Sequence, residues 1–392
     1  MPQLRTYQKS HPWLTFQVDL RRAPHSLWLM LGECQSKCAH IAGVPLQPEV
    51  AKNLHALFLA KGALATTAIE GNTLSEEEVV KHLAGELKLS PSREYLGQEV
   101  DNIIAACNGI LSEIRNGHRP VLDFSRVCEL NRLVQEKLPL NEGVKPGELR
   151  TFDVGVARYR GAPAQDCQFL LERLCEWLNG KEFQPGGGMD LAYAIIKAML
   201  SHLYLAWIHP FADGNGRTAR LIEFQILICS GVPTPAAHLM SNHYNQTRTE
   251  YYRQLDQASR SGGDVIPFLA YATQGLLDGL RYQLELIRGQ QWDVAWEKYV
   301  HDAFKDKSGE SHDRRRRLVL DLSRTAKERI PLSKLPDITP RMTKAYSKRT
   351  RRTLQRDINS LTQMGLIDIN SDGAHARKEL ILAFLPTTAR GE

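Results

Sequence analysis

The segment 209–220 combines residues whose types and spacing could transfer a phosphorus-containing group. It reads His209-Pro-Phe-Ala-Asp213-Gly-Asn-Gly-Arg217-Thr-Ala-Arg220. Glycines at 214 and 216 remove side-chain bulk where the chain enters a predicted helix, so successive backbone N–H groups can face one anion. Arg217 and Arg220 lie three residues apart, on one face of the first turn, and offer paired donors to phosphate oxygens. The segment therefore predicts a polyphosphate site.

Two further side chains of this segment could complete a transfer site. Asp213 is a hard oxygen ligand suited to Mg²⁺, which normally takes one or two carboxylates together with substrate phosphates. His209 is the nearby group able to accept a proton near neutral pH. Each residue alone could also be an ordinary capping histidine or turn aspartate, but the combined pattern is rarely met by chance. Transfer of this type depends mainly on positioning and charge stabilisation.

Two strongly apolar helices are predicted to hold this loop. The first runs from Asp190, expected as its N-cap, to Trp207, and the second from Arg217 to Ser230. Periodicity predicts further helices over 48–69, 92–115, 125–137, 167–178 and 247–288, and a strand-like rhythm over 149–160. The fold class is therefore mainly α, with a rigid polar loop between two core helices.

The pattern His-Pro-Phe-x-Asp-Gly-Asn-Gly-Arg-x-x-Arg matches the signature of the Fic family (Fic/Doc superfamily) in full, and the resemblance extends over roughly residues 50–290. Most characterised Fic enzymes are protein adenylyltransferases. The resemblance thus implies a Fic-type helical bundle with a small β-hairpin flap. It also implies Mg²⁺ as cofactor, ATP as substrate, and transfer of AMP to a Ser, Thr or Tyr hydroxyl of a protein with release of pyrophosphate.

The resemblance also implies roles for single residues. His209 would deprotonate the target hydroxyl, Phe211 would anchor the loop, Asp213 would hold Mg²⁺, and Arg217 and Arg220 would hold the β- and γ-phosphates. The segment from Gly147 to Pro163 is similar to the flap, which aligns the target by strand addition. The full set of residues expected near the nucleotide is Glu70, Val154, Gly155, Val156, Ala157, Asp213, Gly214, Asn215, Gly216, Arg217, Thr218, Ala219, Arg220, Tyr252 and Ser259.

Two of these residues depart from the family pattern. Ala157 stands where the family often has glycine, and Ser259 stands where some relatives have an asparagine near the adenine. Preference for one nucleotide is therefore less well defined by the sequence than phosphate binding.

A built-in inhibitor is predicted upstream, where Thr66 and Glu70 lie four residues apart on one helical face before Gly71. A carboxylate in the last turn of a helix is at the wrong end of the helix dipole, so Glu70 should have a cationic partner elsewhere. The segment resembles the family's inhibitory motif in its N-terminal, class II position. That resemblance implies that Glu70 pairs with Arg220 and denies it to the γ-phosphate.

Composition and charge set limits on the cellular location and on the binding partners that are expected. The seven cysteines are scattered and are interpreted as reduced core residues, and neither a signal peptide nor an uninterrupted membrane stretch is present in the sequence, so a cytoplasmic protein is expected. Residues 310–392 contain 18 Lys and Arg against 10 Asp and Glu, whereas the net charge of the whole chain is +6. The basic character therefore belongs to the C-terminus.

Four regions are predicted along the chain. These are an N-terminal extension (1–48), a catalytic domain (49–290, core about 125–275), a linker (291–313) and a C-terminal domain (314–392). The last resembles a winged helix-turn-helix, with a long helix over 347–364 and a hairpin whose second strand is expected at 380–382. Its candidate DNA contacts are Lys348, Arg349, Arg351, Arg352 and Arg356.

Two other functions remain open from the sequence. One is a DNA-binding regulator whose nucleotide site only senses ligand, and the other is a Fic enzyme that transfers a different nucleotide or a phosphate. The intact His209 and Asp213 favour catalysis, because a sensor needs the anion site but no base. The expected partner is a protein target at the flap. Self-modification, DNA and a homodimer are left open, and no membrane partner is expected.

Overall fold

The structure is a computed structural model that describes residues 5–156, 159–325 and 329–382. The chain divides into two compact units after Leu284. Ala157, expected near the nucleotide, lies outside the described residues.

The first unit is mainly helical, as predicted. Its helices are α1 (Thr6–Ser10), α2 (His25–Gly43), α3 (Pro48–Ala68), α4 (Glu76–Leu83), α5 (Glu94–Arg115), α6 (Phe124–Val134), α7 (Cys167–Leu178), α8 (Asp190–Ile208), α9 (Asn215–Cys229), α10 (Leu239–Gln246), α11 (Arg248–Arg260) and the first part of α12 (Ile266–Ala303). Two short strands, β1 (Gly155–Val156) and β2 (Tyr159–Arg160), pair antiparallel, with Gly155 opposite Arg160.

Helices α8 and α9 form the centre of this unit. Both are buried on nearly every side: α8 is mostly apolar, whereas α9 also buries polar and charged side chains, among them Arg217, Arg220 and Glu223. In the described part of the chain, α8 alone has the length and mean hydropathy of a membrane-spanning helix, and most of it is buried by neighbouring helices. Asp190 is the first residue of α8 rather than its N-cap, since Met189 occupies that place.

The N-terminal extension belongs to the same core. Leu27, Leu31, Cys34 and Cys38 on α2 are buried in one cluster with the side chains of α8. The seven cysteines are free, and burial raises the pKa of both Cys34 and Cys38 to about 12. These thiols are therefore protonated core residues, in agreement with the prediction.

The second unit has its own core. It contains the end of α12, then α13 (Glu310–Arg324), α14 (Pro340–Tyr346), α15 (Arg351–Gln363) and the antiparallel strands β3 (Ile367–Asn370) and β4 (Gly373–Ala376). Trp296, Val300 and Phe304 pack into this core with residues from α13 and α15. Residues 291–313, expected as a linker, are thus helical up to Ala303 and again from Glu310.

Other local expectations differ from the structure. The helix predicted over 247–288 is two helices, because Gly262 and Gly263 adopt left-handed backbone angles between them. The second strand of the C-terminal hairpin is Gly373–Ala376 rather than 380–382. Gly373 lies directly against the backbone of Ile330, which pairs with Ala374, so β4 begins at Gly373, ahead of the apolar run at 380–382.

Candidate active site

The loop between α8 and α9 adopts left-handed backbone angles at both ends. His209 ends α8 with φ of 49°, and Gly214 precedes α9 with φ of 78°. Histidine is among the few residues other than glycine that are enriched in this region, and glycine adopts it without steric cost. The two turns bring His209 and the amino end of α9 to one place.

Polar residues from α6 brace the middle of the loop. The carbonyl of Asp213 accepts hydrogen bonds from Asn131 at 3.0 Å and from Gln135 at 3.3 Å. The side chain of Asn215 is buried and holds the backbone of Phe211, with bonds of 2.9 Å and 2.8 Å to its N–H and carbonyl. Asn215 is one of the residues expected near the nucleotide, and both polar atoms of its side chain have a partner within the loop.

Arg150 connects the loop to the β1–β2 hairpin. Its buried guanidinium donates to the carbonyls of His209 at 2.7 Å and Phe152 at 2.7 Å, and also to that of Ala162. Its backbone N–H donates to the carbonyl of Pro210 at 3.0 Å. One side chain therefore fixes the hairpin base and the end of α8 together.

His209 is a neutral base in this environment. Burial is the main reason that its pKa falls to about 4, and the nearby Arg150 guanidinium lowers it further. The imidazole therefore stays unprotonated at neutral pH and can accept a proton.

Arg220 is paired with the predicted inhibitory residue. Its Nη2 lies 2.5 Å from Oε1 of Glu70 and 2.9 Å from the carbonyl of Thr66, and the guanidinium is fully buried. Burial would favour a neutral carboxyl, but Arg220 outweighs this effect and holds the pKa of Glu70 below its ordinary value. The predicted cationic partner of Glu70 is thus present.

Arg217 has its own carboxylate partner, which the sequence alone did not reveal. Its Nη1 donates to Glu99 on α5 at 2.9 Å, and its Nη2 lies 3.4 Å from Asp213. Desolvation raises the pKa of Glu99, and the Arg217 guanidinium opposes that rise. Cations at a helix N-terminus need an anion to offset the dipole, and here carboxylates of the protein itself supply it.

Several donors at the start of α9 are suited to phosphate. Within the described part of the chain, Nε of Arg217 and both Nε and Nη1 of Arg220 are buried without an acceptor. Glu70 fills the space over Gly216, where even a Cβ would overlap its carboxylate. Buried donors normally have partners. The donors of Arg217 and Arg220 around Gly216 form an anion cradle, which fits an anion that would displace Glu70.

Asp213 carries the carboxylate that the sequence predicts as a Mg²⁺ ligand. Its side chain is 51% exposed, and its Oδ1 accepts the Gly214 N–H at 2.6 Å, while Oδ2 faces Arg217. The described residues contain no cluster of three or more His, Cys, Asp and Glu side chains that could hold a metal. One exposed carboxylate fits Mg²⁺ that takes its other ligands from phosphate and water.

Of the remaining predicted residues, Gly155 and Val156 form β1 and Val154 directly precedes it. Tyr252 is exposed beside the turn of residues 70–72 that carries Glu70, called the inhibitory turn, and its hydroxyl lies 3.4 Å from the Ile69 carbonyl. Thr218, Ala219 and Ser259 are buried; the hydroxyl of Thr218 donates to Gly214 at 2.8 Å, and that of Ser259 donates to Asp256 at 2.9 Å. The hydroxyl groups of Thr218 and Ser259 thus have partners within the protein, and contact of these three residues with a nucleotide stays a prediction.

Comparison with known proteins supports a common origin for the region that carries this site. Residues 121–227 match the profile of the Fic/DOC family. The chain is 29% identical over 209 residues to protein adenylyltransferase fic-1 of Caenorhabditis elegans, covering 53% of this chain and 38% of that protein. It is 31% identical over 215 residues to protein adenylyltransferase Fic of Nematostella vectensis, covering 53% of this chain and 45% of that protein.

Solved structures share the fold. A Fic family protein from Desulfovibrio desulfuricans G20 superposes with a TM-score of 0.53 at 20% identity, covering 88% of this chain and 90% of that one. Fic-1 (residues 134–508) from C. elegans superposes with a TM-score of 0.55 at 23% identity, covering 68% and 74%. The chain spans less than half the length of the two curated relatives. It contains a Fic/DOC family domain and is homologous to the Fic protein adenylyltransferases.

Proposed function

We propose that this protein transfers AMP from ATP to a hydroxyl group of a protein. The observation that carries the proposal is the arrangement of a neutral, half-buried His209 on the loop that leads into α9, whose first turns carry the two buried arginines Arg217 and Arg220. Relatives named as adenylyltransferases support the same reaction class.

In the proposed reaction, the oxygen of the target hydroxyl forms a bond to the α-phosphorus of ATP. The bond between that phosphorus and the oxygen bridging to the β-phosphate breaks, and pyrophosphate leaves. The hydroxyl proton passes to the imidazole of His209. Arg217 and Arg220 bind the β- and γ-phosphates and stabilise the leaving group, because fixed cations in a buried site act strongly on developing charge. The exposed edge of the β1–β2 hairpin would align the target backbone.

Asp213 would hold Mg²⁺ in this site. When bound, the ion neutralises phosphate charge and orients the triphosphate. Asp213 is suited to this role because its carboxylate is half exposed at the mouth of the cradle, beside the guanidinium of Arg217.

We propose that Glu70 inhibits this reaction within the same chain. Its carboxylate occupies the space over Gly216 and binds Arg220, both of which the γ-phosphate would need. A carboxylate and a phosphate cannot use the same guanidinium face at once. The carbonyl of Thr66 also accepts from Arg220, so the end of α3 and the turn that follows it hold this arginine by two contacts.

Labelled ATP tests the proposed reaction. The Glu70→Gly protein is incubated with Mg²⁺ and a cell lysate, with ATP labelled at either the α- or the γ-phosphate. We expect protein label from the α-phosphate alone, and this label on the protein itself would show self-modification. Label from the γ-phosphate alone would indicate phosphorylation. Label from neither, with Mg-ATP binding seen by calorimetry, would favour a nucleotide sensor.

Exposed cations in the second unit favour DNA binding as an additional function. Lys348, Arg351, Arg352 and Arg356 are exposed at and near the start of α15, and none forms an ion pair within the described residues. Arg349 differs, because it lies 3.1 Å from Glu310. The exposed Gln355, one turn into α15, could read an adenine edge. We therefore propose that α14 and α15 act as a helix-turn-helix, with β3 and β4 as its wing.

A salt titration tests this DNA proposal. The full chain should bind a duplex by fluorescence anisotropy, with affinity falling as salt rises. Replacing Lys348, Arg351 and Arg352 with glutamine should weaken binding and reduce the salt slope by about 0.9 for each phosphate that is no longer neutralised. The matched control replaces three exposed cations of the first unit, Arg22, Lys52 and Arg115, and should leave the slope unchanged. Equal slopes for both triple variants would contradict the proposal.

A further inference from the structure

Arg217 is fixed by a polar network that begins in the inhibitory turn. Glu99 on α5 accepts from Arg217 at 2.9 Å through Oε1 and from Asn72 at 2.9 Å through Oε2. Asn72 follows Glu70 by two residues, immediately after Gly71. The turn that carries Glu70 binds Arg220 directly and is also linked, through Asn72 and Glu99, to Arg217.

Asn72 is itself firmly held. Its side-chain amide also donates to the carbonyl of Leu96 on α5 at 2.9 Å, and its oxygen accepts the N–H of Leu74 at 3.0 Å. The side chain is buried, and so is the guanidinium of Arg217. A residue whose partners are all in place is well suited to orient another side chain.

Glu70 and Glu99 differ in what they would do to a bound nucleotide. The Glu70 carboxylate lies over Gly216, in the space of the anion cradle. Glu99 is not among the atoms nearest to Gly214 or Gly216, and its hydrogen bond to Arg217 uses Nη1 of that guanidinium and leaves Nη2 and Nε to other partners. Arg217 also needs a countercharge, because a buried cation without one is strongly unfavourable. Glu99 can meet this need whether or not a phosphate is present.

We propose that Glu99 and Asn72 are positioning residues that hold Arg217 ready for the β-phosphate. This inference rests on the proposed function. It implies that the turn 70–72 serves two opposite purposes: Glu70 blocks the cradle and Asn72 helps to build it. Release of inhibition then requires the Glu70 side chain to swing away while the turn stays in place, since displacement of the whole turn would also release Glu99 and Arg217.

Calorimetry with three nucleotides tests this role in the full-length Glu70→Gly protein. Glu99→Gln should weaken binding of Mg-ADP and Mg-ATP by about ten- to hundredfold, the range seen when residues that orient ligand groups are replaced. AMP binding should not change, because AMP has no β-phosphate. Asn72→Ala should give the same pattern, and the double variant should be no worse than the stronger single variant, since both act through Arg217.

Glu113→Gln is the matched control. Glu113 lies on the same helix and forms a comparable pair with Arg126 at 2.9 Å, away from the cradle, so this variant should bind all three nucleotides like its parent. Equal weakening of AMP, ADP and ATP by Glu99→Gln and Asn72→Ala would mean a general structural role and overturn the inference. Tighter ATP binding would make Glu99 a second inhibitor and overturn it as well, as would unchanged binding.

Failure of this inference can be separated from failure of the proposed function. If the Glu70→Gly protein binds no Mg-ATP, the proposed function is wrong. If it binds Mg-ATP with the same affinity whether residue 99 is glutamate or glutamine, only the positioning role is wrong. Thermal unfolding of each variant by circular dichroism shows whether it is folded, and Asn72→Ala provides the test should Glu99→Gln fail to fold.

Discussion

Replacing His209 with asparagine in the Glu70→Gly protein is expected to lower AMP transfer by about 10³-fold, within the range of general base catalysis. Mg-ATP affinity should remain, because the phosphate contacts come from α9. Asparagine is the better test than alanine, since His209 has φ of 49° and asparagine tolerates this region. The measurement is the initial rate of α-phosphate labelling, together with calorimetry of Mg-ATP.

The pH dependence provides a second measurement of the same prediction. With Glu70 present the pKa of His209 is about 4, and a lowered pKa means that the base form persists to lower pH, so kcat/KM of the Glu70→Gly protein should stay level down to about pH 5 and fall only below about pH 4. Loss of Glu70 removes a negative charge near His209 and moves the fall further in the acid direction. His118→Asn, at an exposed histidine, is the control and should leave rate and pH dependence unchanged. Parental activity in His209→Asn would rule out His209 as the base.

The second large effect is expected from Glu70→Gly alone. The Glu70 carboxylate is about one third exposed, so its charged hydrogen bond to Arg220 is worth about 1.5–3 kcal/mol rather than the value of a fully buried ion pair, and a γ-phosphate that takes the place of the carboxylate can use that interaction. Since about 1.4 kcal/mol corresponds to a tenfold change, AMP transfer should rise by about 10–10²-fold. Glu70→Gln keeps the size of the side chain and removes its charge, so it should activate in the same direction.

The same variant should be less stable without nucleotide. Arg220 is fully buried, and loss of Glu70 leaves its charge uncompensated. The midpoint of thermal unfolding should therefore fall for Glu70→Gly and recover when Mg-ATP is added, whereas the parent should respond less to ATP. Glu86→Gly, at an exposed position, controls for the added glycine. Equal transfer rates and equal ATP responses in Glu70→Gly and the parent would contradict inhibition by Glu70.

Much of the helical frame could be predicted from apolar periodicity. Helix α7 begins and ends where the pattern placed it, and α3, α8 and α9 differ by one or two residues at their ends. These helices are strongly periodic or uniformly apolar, so local sequence determines them. The break between α11 and α12 was missed, because glycines 262 and 263 were outweighed by the helical residues on both sides.

The site could be predicted only where its residues lie close together in the chain. The pairing of Glu70 with Arg220 was expected, because a carboxylate at the end of α3 needed a cation and the family resemblance named it. Glu99 was missed, because it reaches the site from α5, where its neighbours in sequence carry no catalytic pattern. Arg150 lies in the segment expected as the flap, but its bonds to the catalytic loop were not predicted. Only tertiary packing brings them to the loop.

The bonds made by Arg150 have a consequence for how a target protein would be chosen. One buried guanidinium holds carbonyls of the hairpin base and of His209, so the hairpin and the imidazole keep a constant separation. For a peptide that binds along the hairpin as an added strand, this separation fixes how far along the peptide the modified hydroxyl lies. The hydroxyl that reaches phosphorus would then be selected by its place in the peptide, and variation of the flanking side chains would change affinity while leaving the modified position the same.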